Sequence, residues 1–220
     1  MNVGRIFGLA LLIGGVGAQT APCLISSTND PGFWGVTNGL VHAVVRSGNV
    51  IYLGGDFHQL VSPGSRTGID VNRLAALDAN TGRPTSWRPS ADGTVYALSV
   101  SPDGSTIYVG GAFTNINGIY RGRFAAISPS GALLWSANIT DPQVAVKCFA
   151  SSGNTLYLGG NFSRIVGKTR LRLAAIQPPP PGGATGILLP WAPLITSTDG
   201  TSPIVNGLAV ANGDVVAVGK

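Results

Sequence analysis

Glutamate is missing from the 220-residue chain altogether, and only three lysines, two cysteines, two histidines and one methionine are present. Glu, Lys and Met are among the better helix formers, so their scarcity argues against helices. The paired carboxylates of glycoside hydrolysis are in short supply. Of the nine acids, all aspartates, most fall at turns (Asp78, Asp92, Asp103, Asp199, Asp214), where the side chain normally caps its own backbone. Metal sites want clustered His, Cys or carboxylate ligands. Here His42 reads on a strand and His58 in a loop, neither close in sequence to a cysteine. Charged residues make up 10% of the chain, against about 25% in ordinary soluble domains. The net charge of +5 comes from arginines scattered singly or as R-x-R pairs. Without a dense basic run, a nucleic-acid surface is not expected. No apolar run approaches the roughly 20 residues a membrane span needs. No cofactor, catalytic triad or phosphate-cradling loop is read either.

What is present points to strands. With 32 glycines, 15 prolines and many Val, Ile, Thr and aromatic residues, the bias is towards short strands joined by tight turns. One phrase occurs three times: Ile51-Tyr52-Leu53-Gly54-Gly55-Asp56-Phe57, Ile107-Tyr108-Val109-Gly110-Gly111-Ala112-Phe113 and Leu156-Tyr157-Leu158-Gly159-Gly160-Asn161-Phe162. A worn copy, Val216-Ala217-Val218-Gly219, aligns with Gly219 at the first glycine, beside 54, 110 and 159. Ahead of each phrase comes a strand, at Val41–Val44, Val95–Leu98, Val146–Phe149 and Val205–Leu208. Between the two lies a Gly- or Asn-bearing hairpin turn. A polar loop then leads to a third strand opening at Arg73, Arg123 or Arg172. A fourth ends at Trp87, Trp135 or Trp191.

Four short antiparallel strands recurring at about fifty residues predict an all-β fold, a β-propeller of four-stranded blades. Val50-Ile51-Tyr52-Leu53 and Leu74-Ala75-Ala76-Leu77 are apolar on both faces, as stacked sheets require and a half-wet sheet does not. Gly-Gly and Ala-Ala then mark places where neighbouring backbones crowd. The expected divisions are 41–92, 93–143 and 144–193 for three blades, and 194–220 for the start of a fourth. Trp34 lies seven residues before Val41, much as Trp87 lies eight before Val95. The segment 19–40 is therefore read as carrying the outer strand that closes another blade. Three blades and two partial ones lead to the expectation of an N-terminal fragment of a longer propeller. Pro178–Pro181 with Gly182-Gly183 reads as an enlarged exposed loop.

Residues 1–18 read as an export signal: Arg5, an apolar run from Ile6 to Val16, and small residues at Val16-Gly17-Ala18. The mature chain is expected outside the cell or at its surface. Cys23 and Cys148 are free to pair there, although Cys148 aligns with Ala43, Ala97 and Gly207, a tight site that suits an unpaired thiol.

Tyr-Leu/Val-Gly-Gly-x-Phe, Arg-Leu/Phe-Ala-Ala and Trp at this spacing resemble the delta-60 type of β-propeller repeat, over residues 38 to 220. That resemblance implies blades found in bacterial extracellular proteins and in fungal cell-surface cortical-marker glycoproteins. It implies no particular reaction.

Candidate site residues are few. Arg73, Arg123 and Arg172 stand at equivalent places and either line an anion-binding face or tie down their own loops through backbone carbonyls. Asn138-Ile139-Thr140 and Asn161-Phe162-Ser163 are glycosylation patterns in a eukaryotic setting. The leading expectation is a non-enzymatic, secreted or surface scaffold that binds a protein or a cell-wall glycan. The alternatives are an extracellular enzyme with its catalytic residues elsewhere, and a carbohydrate-binding propeller.

Overall fold

The computed structural model describes residues 33–65, 67–195 and 202–220. Residues 1–18, expected to be an export signal, lie outside them, as do Cys23 and Asp199. The described chain is strand and turn, without a helix. It opens with β1 (Gly35–Thr37), followed by a hairpin of β2 (Val41–Ser47) and β3 (Val50–Gly55). A smaller hairpin of β4 (Gln59–Val61) and β5 (Gly68–Asp70) leads to β6 (Leu74–Asp78). The same sequence of elements follows twice. First come β7 (Val95–Val100), β8 (Ile107–Gly111), the small hairpin β9 (Asn115–Ile116) and β10 (Ile119–Tyr120), then β11 (Phe124–Ile127) and β12 (Leu133–Trp135). Next are β13 (Val146–Ser152), β14 (Thr155–Gly160), the small hairpin β15 (Arg164–Ile165) and β16 (Lys168–Thr169), then β17 (Leu173–Gln177) and β18 (Ile187–Leu188). A last hairpin joins β19 (Val205–Ala211) to β20 (Asp214–Gly219).

The strands form antiparallel sheets in the orders β2-β3-β6, β7-β8-β11-β12, β13-β14-β17-β18 and β19-β20. The segment expected to be a plain polar loop is instead a short hairpin in each of the first three. Its strands are only two or three residues long, too short for an alternating pattern to register. The fourth strand is ragged. In the first sheet it shrinks to a bridge between Leu77 and Pro84, and in the third it stops ahead of Trp191. Pro84 and Pro190 lack the N–H a ladder needs. The Pro178–Pro181 stretch leads into an exposed loop from Pro180 to Thr185.

Pairing corrects one alignment. Gly55, Gly111, Gly160 and Gly219 face Val41, Val95, Val146 and Val205 respectively. Gly219 thus matches the second glycine of the phrase, and Val218 occupies the place of the first, opposite Gly207.

The sheets stack through their first strands, β2 against β7, β7 against β13 and β13 against β19. Alternate residues go to opposite faces. Tyr52, Leu74 and Ala76 meet Val95, Ile107 and Val109 between the first and second sheets. Tyr108, Phe124 and Ala126 meet Val146, Leu156 and Leu158 between the second and third. Leu53, Ala75 and Leu77 turn the other way, packing with Phe57, Leu60 and Trp34. Each phrase tyrosine meets the tryptophan of its own unit edge-on, with ring centroids 4.8, 5.8 and 5.1 Å apart for Tyr52–Trp87, Tyr108–Trp135 and Tyr157–Trp191. The phrase phenylalanines Phe57, Phe113 and Phe162 are fully buried.

The first glycine of each phrase lies where the next sheet comes against the strand. A Cβ on Gly54 would lie 2.6 Å from Val95, one on Gly110 2.7 Å from Val146, and one on Gly159 2.6 Å from Val205. Each of those valines begins the next sheet. Gly35, by contrast, has open space around it. In urea titrations Gly110→Ala is expected to cost about 1–3 kcal/mol and Phe113→Ala about 3–5 kcal/mol. Gly35→Ala should stay within about 0.5 kcal/mol of the parent. Equal midpoints for the two alanine-for-glycine variants would contradict the close approach.

Candidate functional site

The three arginines sit in a left-handed backbone conformation, with φ of 66° at Arg73, 68° at Arg123 and 69° at Arg172. For this reason the third strands begin one residue later than the sequence pattern predicts. A non-glycine residue at positive φ is held there by its surroundings, and the surroundings are backbone carbonyls. Arg73 Nη1 donates to Ala91 O at 2.8 Å. Arg123 Nη1 donates to Phe113 O at 3.1 Å and Thr114 Oγ1 at 2.7 Å, and its Nη2 reaches Asp141 O at 3.4 Å. Arg172 Nε donates to Pro203 O at 2.7 Å and Nη1 to Phe162 O at 3.0 Å. Ala91, Asp141 and Pro203 all lie just ahead of the next sheet's first strand. Each guanidinium therefore ties its own sheet to the entry of the following one. The half-buried arginines do not converge on a shared opening: each is committed to its own seam.

Aspartates answer them at the same seams. Asp92 accepts from the N–H groups of Thr114 and Asn115 at 2.7 and 2.9 Å. Asp141 accepts from Ser163 N at 2.8 Å, Ser163 Oγ at 2.6 Å and Arg164 N at 2.9 Å. Burial works to raise both carboxyls, yet these donors outweigh it and hold them below the ordinary 3.8. At the position after Gly-Gly, Asp56 accepts from the N–H of Leu40, and Asn161 Oδ1 from that of Ala145 at 2.6 Å. Asp56 and Asn161 are thus interchangeable as acceptors, a relation hidden while only charge is compared. Asn161 is half-buried with its amide oxygen engaged, whereas Asn138 is exposed. Cys148 donates to Val205 O at 3.8 Å and forms no disulfide among the described residues. Burial pushes its thiol up to about 12.

One constellation escaped the sequence reading. Each first strand carries a β-bulge where it meets the second, between Val41 and Ala43, Val95 and Ala97, Val146 and Cys148, and Val205 and Gly207. The extra residues are His42, Tyr96, Lys147 and Asn206. Bulges re-aim a side chain out of the pleat, and since the first strands pack in succession, three of these side chains, His42, Tyr96 and Lys147, meet. The rings of His42 and Tyr96 lie 5.4 Å apart, and Lys147 Nζ stands 4.4 Å from the centre of the Tyr96 ring. Asp56 lies behind His42, 3.6 Å from Nε2. The Leu40 N–H, more than the imidazole, keeps that carboxyl low against the opposing effect of burial. The available signal was an off-pattern residue at the second place of each first strand. Its identity changes from copy to copy while its neighbours stay apolar or small. His58 lies apart from this row, exposed at the entry to β4.

Among the described residues no group of three or more His, Cys, Asp or Glu is placed to hold a metal ion. No protein-family model matches the chain, and a search of curated proteins finds no relative.

Arg123→Gly relieves the left-handed backbone yet removes the seam. Loss of charge-assisted hydrogen bonds predicts a net destabilisation of about 1–3 kcal/mol, with Arg123→Lys falling in between. An Arg123→Gly variant as stable as the parent would show that the guanidinium is not needed for stability. The carboxyls give a second expectation. Asp103, bonded first by the Ser101 hydroxyl and then by Ser105, is lowered to about 2, and Asp92 and Asp141 also lie below 3.8. A depressed carboxyl adds stability that is whole above its unfolded value and is lost as pH falls through its folded one. Unfolding midpoints should therefore decline from about pH 4 towards pH 2. Asp141→Asn should lower the neutral-pH midpoint and shallow that decline; an unchanged slope would exclude Asp141 as a contributor.

Proposed function

We propose that this chain builds blades of a β-propeller of the delta-60 repeat type, exported from the cell and working as a non-enzymatic binding or scaffolding module. The observation that carries the reading is the succession of first strands, β2 against β7 against β13 against β19. In each of the three junctions a glycine lies where the next sheet's leading valine approaches. Sheets joined innermost strand to innermost strand by equivalent contacts are what radial stacking requires. The matching Tyr–Trp pairs support the same view. Such a stack is a rigid frame, and rigid frames suit binding at the residues that vary between copies. Export rests on the charged start, apolar run and small residues of positions 1–18.

Expressed from Met1 in a secretion-competent host, the protein is expected in the medium with its first 18 residues removed. Deleting residues 6–16 should confine it to the cell. An intact chain that keeps its N-terminus and stays inside would count against export. Purified protein incubated with cell-wall polysaccharide and surface-protein fractions should be retained without turnover. Release of reducing sugar would replace the scaffold reading with an enzymatic one.

A further inference from the structure

We infer that the row of bulge residues, His42, Tyr96 and Lys147 in contact, with Asn206 on the next first strand, is a binding subsite for a carboxylate or phosphate group on a ligand. The inference rests on the scaffold reading only in taking the chain to bind something; where it binds follows from the bulges. In four successive first strands the ladder is broken at the same place, and each break brings out a different polar or aromatic side chain. A purely structural bulge has no need of four chemistries. The residues either side of it stay small or apolar: Val41 and Ala43, Val95 and Ala97, Val146 and Cys148, Val205 and Gly207.

Charge decides the ligand class. Lys147 is one of only three lysines in the chain, and it is half-buried over the face of Tyr96. Its ammonium has no carboxylate partner among the described residues, where the one close contact of a basic with an acidic side chain is His42–Asp56. A ring face attracts a cation but does not neutralise it. Asp56 is the acid adjoining the row, and it sits at the His42 end with one oxygen taken by the Leu40 N–H. Among the described residues no aspartate side chain pairs with the charge at the other end, around Lys147, with the Asn206 position next in line. An incoming carboxylate or phosphate gains a charge-assisted hydrogen bond from Lys147. The exposed amide of Asn206 and the phenol of Tyr96 can then orient whatever carries it.

The chain reports on this site conveniently. It holds two histidines, His42 in the row and His58 outside it, and three lysines, of which Lys147 alone stands over an aromatic ring among those described. Imidazole and lysine side-chain NMR signals of the full chain would be followed at constant pH during addition of galacturonate, galactose or inorganic phosphate. Galacturonate should move the Lys147 and His42 signals while leaving His58 and Lys168 in place. Phosphate moving them as well identifies a general oxyanion site. Galacturonate acting alone identifies a carboxylate borne on a sugar. Lys147→Gln, checked by circular dichroism for an intact fold, should weaken the His42 response at least about tenfold, and Lys147→Arg should largely retain it. Lys168→Gln, on the exposed strand β16, should leave it unchanged. The inference is overturned if neither anion moves the signals, if galactose acts as strongly, if His58 responds equally, or if Lys147→Gln binds like the parent. A chain that is exported and retained on surfaces but fails here keeps the scaffold reading and loses only this site.

Discussion

The rest of the structure depends on how closely one sheet's second strand approaches the next sheet's leading valine. At Gly54, Gly110 and Gly159 there is no room for a Cβ. With that contact made, β2, β7, β13 and β19 lie side by side, and the second and third sheets are covered on both faces. This double covering is why strands such as β8 and β11 are buried on both faces and carry no charge. The last hairpin varies the arrangement. Val218 stands where a glycine would be, and Gly207 across the pair is the small partner, so that bulk has moved from one strand to its neighbour. Val218 is 62% exposed, free of the crowding that excludes a side chain at the three earlier positions.

Polar chemistry concentrates at the seams between sheets. A chain leaving one sheet and entering the next passes through irregular backbone whose carbonyls and N–H groups need partners. The arginines supply donors and the aspartates acceptors, each reaching from one unit to the edge of another. A guanidinium can serve several carbonyls at once from a fixed fork, which a lysine ammonium cannot do. Arg73, Arg123 and Arg172 donate to carbonyls at the three seams. The bulges do a different job. They lie on the first strands and carry His42, Tyr96, Lys147 and Asn206 at equivalent positions. Equivalent contacts hold the frame, while the side chains at the bulges differ from one unit to the next.

The sequence by itself determined the class of fold, the tight turns and the second strands, because these follow from local residue preferences repeated in order; that each phrase tyrosine meets its unit's tryptophan came from the tertiary structure. The sequence also identified the three arginines and offered the carbonyl-binding role among its readings. What it did not show depends on partners distant along the chain. The small hairpins have strands of two or three residues, beneath the length at which alternation can be read. The left-handed φ of Arg73, Arg123 and Arg172 is imposed by carbonyls 10 to 31 residues away, and nothing in Arg-Leu-Ala-Ala announces it. The true match of Gly219 with Gly55, Gly111 and Gly160 is a matter of register, which only pairing can settle. His42 and Lys147 looked like unrelated residues on separate strands. The tertiary structure alone decided that they meet at Tyr96, because a bulge is defined by two strands together and its side-chain direction by the sheet next door.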